Sequence, residues 1–470
     1  MREVWGELMQ VLNDIQSRLN ETEVSGVESP ESAGAIAATI SQAALSGVPL
    51  CPAGALHSMG GQQFVKNGLS LSSRKLKRIG PLEKNSQVVS VQSGVSWPEL
   101  TRWLRNEQKG QINELTIIQK QTGADELTLG GALSSNIHGR VLGRKPIVND
   151  VQDFYITTSD AERIYCSRKE NQELFNLVIG GYGLFGFIDS IDLSLTERIK
   201  LRRNVSENGL DEVIPALEEH TADGAMFGDF QYMTDETSSD FLSKGVLSVY
   251  KPVAQDTVIP DNQLGLPLED WKKLFVLAHT DKRQAYKSYL GHYLQTDGQI
   301  YWSDDHQFSP YLPEAGDMLI QQLGWKTYAS LMITELYVPR DRFPGFMKKA
   351  REGLLSTGAN VIYGTVRLIE SEDETFLNWA RGDFACIIFN LLVEHTVEGR
   401  ENAKNQFQML IDCALEQGGS FYLTYHRWAR KDQIQNAYPQ FTEFLEKKNQ
   451  YDTRNLFTSE WHRHYREMFS

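Results

Sequence analysis

Pro52-Ala53-Gly54-Ala55-Leu56-His57-Ser58-Met59-Gly60-Gly61-Gln62 sets a histidine in a turn of small residues. The turn follows Gly47-Val48-Pro49-Leu50-Cys51, a run without a charged side chain. Glycine tolerates positive φ and adds no side chain, so backbone N–H groups in such a turn can close on an anion. Further glycine pairs stand at Gly130-Gly131 and Gly180-Gly181. Three anion-friendly turns in the front half point to one large phosphate-bearing cofactor. The histidine points to a group bonded to that cofactor.

At 470 residues the chain exceeds one ordinary core, so two or three lobes are expected. A formal charge of -14 argues against a nucleic-acid partner, which needs a basic face for phosphates. No apolar run approaches the length of a membrane span. Met1 to Asn20 reads as an amphipathic helix with acids and arginine mixed in, not as a signal peptide. Cys51, Cys166, Cys386 and Cys413 lie far apart without a CxxC pair. Free thiols in a reducing compartment follow, and a cytoplasmic location is the expectation.

Along the chain, Glu28-Ser29-Pro30-Glu31-Ser32 reads as a cap-rich entry to a helix over Ala33 to Ser46, ended by Gly47. Leu69 to Ser72 and Val88 to Gly94 read as strands, and Trp97 opens a helix to about Asn106. Val151 to Thr158 and Ile164 to Cys166 read as a hairpin around Ser159-Asp160-Ala161-Glu162-Arg163. From about Lys200 strands (Leu331 to Tyr337, Ala385 to Val393) mix with helices (Arg342 to Leu355, Gly399 to Gln417), as in a second α+β lobe. The stretch with Pro252, Pro260 and Pro267 reads as irregular surface chain.

Gly181-x-Gly183-x-x-Gly186 matches the dinucleotide fingerprint letter for letter. That fingerprint needs a strand before it and a helix after it, so that the pyrophosphate meets a helix N-terminus. Here the order is reversed: Glu173 to Ile179 reads as helix and Phe187 to Leu195 alternates as strand. The nicotinamide reading is therefore rejected.

Four segments, in order, resemble the vanillyl-alcohol oxidase, or PCMH-type FAD-linked oxidase, family. AGALHSMGGQ resembles the histidine loop of cytokinin dehydrogenases and of aldonolactone or alditol oxidases. LTLGGALSSNIHGR is similar to the second FAD loop of aldonolactone oxidases and decaprenylphosphoryl-ribose 2-oxidase. ELFNLVIGGYGLFGFI resembles the shared Gly-rich segment, and YPQFTEFLEKKNQYDTRNLFTSEWHRHY the closing segment. The resemblance implies an α+β fold. After an N-terminal helix (1–21), an FAD domain of two small α+β subdomains (22–195) grips the pyrophosphate. A cap with an antiparallel sheet (196–430) covers the flavin ring, and a tail (431–470) returns to the FAD domain.

The resemblance implies FAD as cofactor, with His57 as its covalent ligand; a pyrophosphate-bonding or packing role is the other reading of His57. A neutral imidazole is nucleophilic enough to be alkylated at a flavin methyl. Gln121-Thr122-Gly123-Ala124-Asp125 holds no cysteine, so a second covalent link is not expected. Ala53, Gly54, Leu56, Ser58, Met59, Gly60, Gly61 and Gln62 would contact the cofactor from the first loop. Gly130, Gly131, Ser134, Ser135, His138 and Gly139 would do so from the second, and Gly181, Gly183, Gly186 and Ile188 from the third. His138 would also donate to the flavin or line the active site; a structural hydrogen bond is its plainer role.

On the substrate side, Arg367 and Glu370 stand on an apparent strand, with Thr365 where alditol oxidases carry the glutamate of a Glu-x-Arg pair. Asn390 would face the same gap. Tyr425 and His426 stand where sugar-oxidising relatives carry a lysine, which puts sugar substrates in doubt. Either can take a proton from a carbinol. Neighbours on a strand face opposite sides, so one of the two is expected to pack in the cap core. His462-x-His464 lacks a third ligand, so no metal is expected and a solvated terminal face is the reading.

The expected activity is oxidation of a CH–OH or CH–NH group of a small molecule by hydride transfer to flavin N5, with oxygen or another acceptor closing the cycle. A C=C reductase or the oxidising subunit of an epimerase is the alternative within the fold. A non-catalytic flavin-binding protein is the alternative from another class.

Overall fold

The computed structural model describes residues 9–309 and 315–470. The fold is α+β, as expected. Its front part holds two small sheets. Gly26–Glu28, Leu69–Ser72 and Leu50–Ala53 form a parallel sheet with Leu69–Ser72 in the centre. That central strand is buried at every position because chain covers both faces, as parallel sheets require. Helix Ala33–Ser46 packs Ile36, Ile40 and Ala43 onto this layer. Ser32 caps it by accepting from the Ala35 N–H at 3.2 Å, worth about 1 kcal/mol. Gly47 ends it at φ 65°.

The second sheet is antiparallel around Phe187–Glu197, which pairs with Val88–Gln92, Val151–Thr157 and Leu115–Ile117. The expected hairpin is present, with Arg163 opposite Thr157 and Ser167 opposite Asp153. Helix Gln172–Val178 precedes the Gly181–Gly186 turn and a strand follows it. That is the order that excludes the nicotinamide fingerprint.

The cap is an eight-stranded antiparallel sheet. Its centre joins Phe227–Tyr232, Val361–Ile369, Phe384–Glu394 and Ala329–Pro339 in that order. Helices Phe343–Ser356 and Val397–Glu416 pack on Ala329–Pro339. The chain then turns back to the front. Leu50 donates to the Leu456 carbonyl at 2.7 Å and Thr458 donates to the Leu50 carbonyl at 2.9 Å. Asp452 shapes this return. It accepts from the Leu456 and Phe457 N–H groups and from the buried Lys448 ammonium at 2.6 Å. Removing one partner of so buried a pair costs about 3–5 kcal/mol.

Several expectations are overturned. In the stretch read as an N-terminal helix, Gln10–Leu12 is a strand paired with Thr22–Val24; residues 1–8 lie outside the described residues. Asp14 explains the departure: its carboxylate accepts from the Gln16 and Arg18 N–H groups and from the Ser17 hydroxyl, closing a turn that a helix would not allow. The Gly130-Gly131 pair is not a turn but the start of helix Leu129–Ser135, capped by Thr128. Glycine is needed at 130 because a Cβ there would meet the Ser93 Cβ at 2.7 Å. Among the described residues no helix is long and apolar enough to cross a membrane, and all four cysteines are free.

Candidate active site

A cleft opens between the two front sheets. The histidine turn supplies Ala53, Gly54, Leu56, His57, Ser58 and Gln62. Gly130, Gly131, Ser134 and Ser135 form a second wall, and Gly183, Gly186 and Ile188 a third. Left-handed backbone shapes the walls: Leu56 lies at φ 63°, Tyr182 at 54° and Gly183 at 74°. In the first turn that conformation falls on Leu56 rather than on Gly54. The Gly54 and Ala55 N–H groups have no acceptor among the described residues. The hydroxyl of Ser93 and Oε1 of Gln63, both lining the cleft, are buried without a partner. Neither residue stood out in the sequence. Burial first, and the charge of Arg74 second, lower the His57 pKa to about 4, so the imidazole is neutral and nucleophilic near pH 7.

Some expected contacts are spent elsewhere. The Gly130 N–H donates to the Ser93 carbonyl at 2.9 Å, and the Gly131 N–H to Thr128 Oγ1 at 3.3 Å, because helix entry claims them. Gln62 uses its amide on the Thr424 carbonyl at 2.8 Å and on the Gly60 N–H at 3.0 Å. Met59, Gly60, Gly61 and Gly139 stand behind the cleft wall. Met59 is in the core, Gly61 accepts from the Trp461 N–H, and a Cβ on Gly139 would meet the Lys120 carbonyl at 2.6 Å.

Beside the cleft, the cap sheet presents a polar cluster. In an antiparallel sheet, residues directly opposite share a face, as do residues two apart on one strand. Glu335 pairs with Ile388 and Ile388 with Thr365, while Tyr337, Cys386 and Arg367 form the next rung. Asn390 lies opposite Ile333 and Tyr363 on the same face. His138 reaches this face from the front domain. Its Nε2 lies 2.5 Å from Glu335 Oε1 and its Nδ1 3.0 Å from the Gly139 carbonyl. Tyr337 also donates to Glu335 Oε1, and Tyr425 to Oε2 at 3.2 Å. Two bonds tie the cluster to the cleft: Gln62 to Thr424, beside Tyr425, and the Tyr422 hydroxyl to the Ser135 carbonyl.

Burial alone would raise the Glu335 carboxyl, but His138, the Tyr337 bond and the Arg367 charge outweigh it and hold the acid below its usual range. Glu335 is therefore an ionised, buried carboxylate. Burial, and then the nearby Glu335 charge, push the Tyr425 phenol well above its usual value, so it keeps its proton. His138, Glu335 and Cys386 place ligand-type atoms within 4.8 Å of one another. Burial holds the Cys386 thiol protonated, and Sγ lies 3.4 Å from Glu335, so hydrogen bonds already account for the cluster.

Residues 24–167 match the family model described as an FAD binding domain. Cytokinin dehydrogenase 2 of Arabidopsis thaliana is 30% identical over 133 residues, 28% of this chain and 25% of that protein. Cytokinin dehydrogenase 1 of the same plant is 32% identical over 142 residues, 30% of this chain and 24% of that protein. Cytokinin dehydrogenase 3 of Oryza sativa subsp. japonica is 28% identical over 178 residues, 36% of this chain and 32% of that protein. The matched stretches thus span between a quarter and a third of these relatives' length. Residues 24–167 thus carry an FAD binding domain, and the chain is similar there to cytokinin dehydrogenases.

FAD is thus the cofactor of the front domain, and the FAD cleft fits it. Small residues line the walls, and orphaned polar atoms of Ser93 and Gln63 await partners that a dinucleotide carries. The cap corrects one candidate. His426 faces away from the FAD domain, 2% exposed, between the Phe407 ring at 4.8 Å and the Trp428 ring at 5.8 Å. Its Nε2 lies 3.4 Å from Thr334, the neighbour of Glu335 that points to the opposite face. The two candidates do not share a strand: the strand stops at Phe421, and Tyr425 and His426 come after a turn at Leu423-Thr424. At the terminus His462 departs from the expected solvated face: it is buried and bonds Thr458 at 2.9 Å, while Arg466 and Glu467 of the same helix are exposed. Glu335 was missed. Its signal was a lone acid inside the apolar run Leu331 to Val338.

Proposed function

We propose that this chain is an FAD-dependent oxidoreductase that oxidises a CH–OH or CH–NH group of a small organic substrate. FAD, when bound, supplies the hydride acceptor and passes the electrons to oxygen or another acceptor. The protein's own residues do the rest. The cleft-facing part of the histidine turn, Ser134, Ser135, Gly183, Gly186 and Ile188 hold the dinucleotide. The neutral His57 imidazole is the residue that would carry the dinucleotide covalently.

On the cap side Glu335 takes the hydroxyl proton of the substrate, directly or through Tyr425. This assignment replaces Tyr425 or His426 as the base, because a phenol held above its usual pKa stays protonated and has no free site to take the proton itself. His138 orients Glu335 and keeps it ionised. Arg367 and Asn390 face the substrate from the same side of the sheet. The observation that carries the reading is a buried, ionised carboxylate joined through Tyr425 and Gln62 to the wall of the cleft.

The test is anaerobic mixing of the yellow protein with a panel of alcohols, hydroxy acids and amines, followed at the flavin absorbance band. Substrate-driven bleaching is expected. Bleaching by none of them, with photoreduction intact, would favour a flavin-binding protein without turnover.

A further inference from the structure

Arg367 is 5% exposed and carries five N–H donors, yet it makes one hydrogen bond, from Nη2 to Thr122 Oγ1. Its Nε is buried without a partner. No carboxylate among the described residues pairs with it. Asp229 stands opposite Arg367 in the register set by Phe230 and Val366, but it is engaged by Arg140 at 3.3 Å. Glu335, the other acid on this face, is engaged by His138 and Tyr337. Arg367 acts on Glu335 through its charge but makes no ion pair with it, so most of its N–H donors are left without an acceptor. A buried guanidinium with unmet donors is costly, and a ligand that accepts from them would complete it.

The surroundings support a ligand rather than a packing accident. On the same strand face, the Thr365 hydroxyl is also buried without a partner. Two residues further, Tyr363 is 42% exposed although it sits mid-sheet, so the face opens there onto free space.

We infer that the substrate of the proposed oxidation carries a carboxylate, held by the fork of Arg367 with Thr365 beside it. This rests on the reading of the chain as an FAD-dependent oxidoreductase and names its substrate class as a hydroxy or amino acid. One guanidinium with unmet donors suits one carboxylate, and its planar fork matches two coplanar oxygens. A phosphate dianion would call for a second free cation, and Arg140 is already paired.

The experiment titrates the FAD-loaded protein with benzoate, phenylacetate and lactate, with the matching amides and with inorganic phosphate. Binding is read by calorimetry and by the flavin difference spectrum. The carboxylates are expected to bind, and the amides about 10- to 100-fold more weakly. Arg367→Met should lose that preference, and Arg367→Lys should keep part of it. Equal binding of acids and amides by the wild type overturns the inference without any variant, while the yellow colour leaves the flavin reading standing. Tighter, Arg367-dependent binding of phosphate overturns the carboxylate assignment. Protein that stays colourless after incubation with FAD overturns both readings together.

Discussion

His138 Nε2 and Glu335 Oε1 meet at 2.5 Å across the boundary between the front domain and the cap, 197 residues apart in sequence. Both side chains are at least nine-tenths buried. The contact gives an otherwise unfavourable buried carboxylate its charge partner and sets that acid beside the cleft. It also brings Tyr337, Tyr425 and Cys386 to one oxygen pair.

Glu335→Gln keeps the shape of the side chain and removes the proton acceptor. Flavin reduction by substrate should slow by about 10²- to 10⁴-fold, with flavin content unchanged. Stopped-flow bleaching under anaerobic conditions measures it. A rate within twofold of wild type would remove Glu335 from the reaction.

His57→Ala separates covalent attachment from binding. After acid precipitation, wild-type protein should keep its yellow colour in the pellet, and the variant should release it to the supernatant. The cleft of the variant should still take up FAD, because the Ser93, Ser134 and Gly183 walls are intact. Release of all colour from the wild type would end the covalent assignment alone.

His426 makes the fold sensitive to acid. Burial lowers its pKa to about 3, against about 6.5 in the unfolded chain. Between these values the unfolded state binds a proton that the folded state refuses. Stability is therefore full above pH 6.5 and falls as the pH drops towards 3, by about 3 kcal/mol at pH 4. His426→Phe should lose less stability between pH 7 and pH 4 than wild type does. Parallel pH-stability curves for the two proteins would refute this.

Two glycines should respond in opposite directions to alanine. Gly186 lies at φ 146°, and a Cβ there would meet the Thr157 carbonyl at 2.5 Å. Gly186→Ala should lose about 2–3 kcal/mol and shed flavin. Gly34 sits in helix Ala33–Ser46 with nothing within 4 Å of a Cβ. Gly34→Ala should gain about 0.5–1 kcal/mol. Denaturant midpoints decide both.

Much of the front domain was legible because its signals are local. Ser32 and Gly47 bound their helix within a single turn at each end. The Val151–Thr157 hairpin follows from alternation and one turn. The helix-then-strand order around Gly181 to Gly186 separated this glycine motif from the fingerprint it imitates. Gly130 and Gly131 were misread because a glycine pair looks alike in a turn and where a helix presses on a strand. Only the Ser93 contact tells the two apart.

From the chain alone came the histidine turn, the three cleft walls, and the pairing of a front α+β domain with a second lobe. Such features depend on residues a few positions apart. Which side chains face the FAD cleft was settled by tertiary structure. The chain leaves the strand after Phe421, and the irregular stretch that follows turns Tyr425 towards Glu335 and His426 into the cap core. Sheet register and chain reversal aim those side chains, and both are set by contacts hundreds of residues distant, where sequence spacing carries no signal.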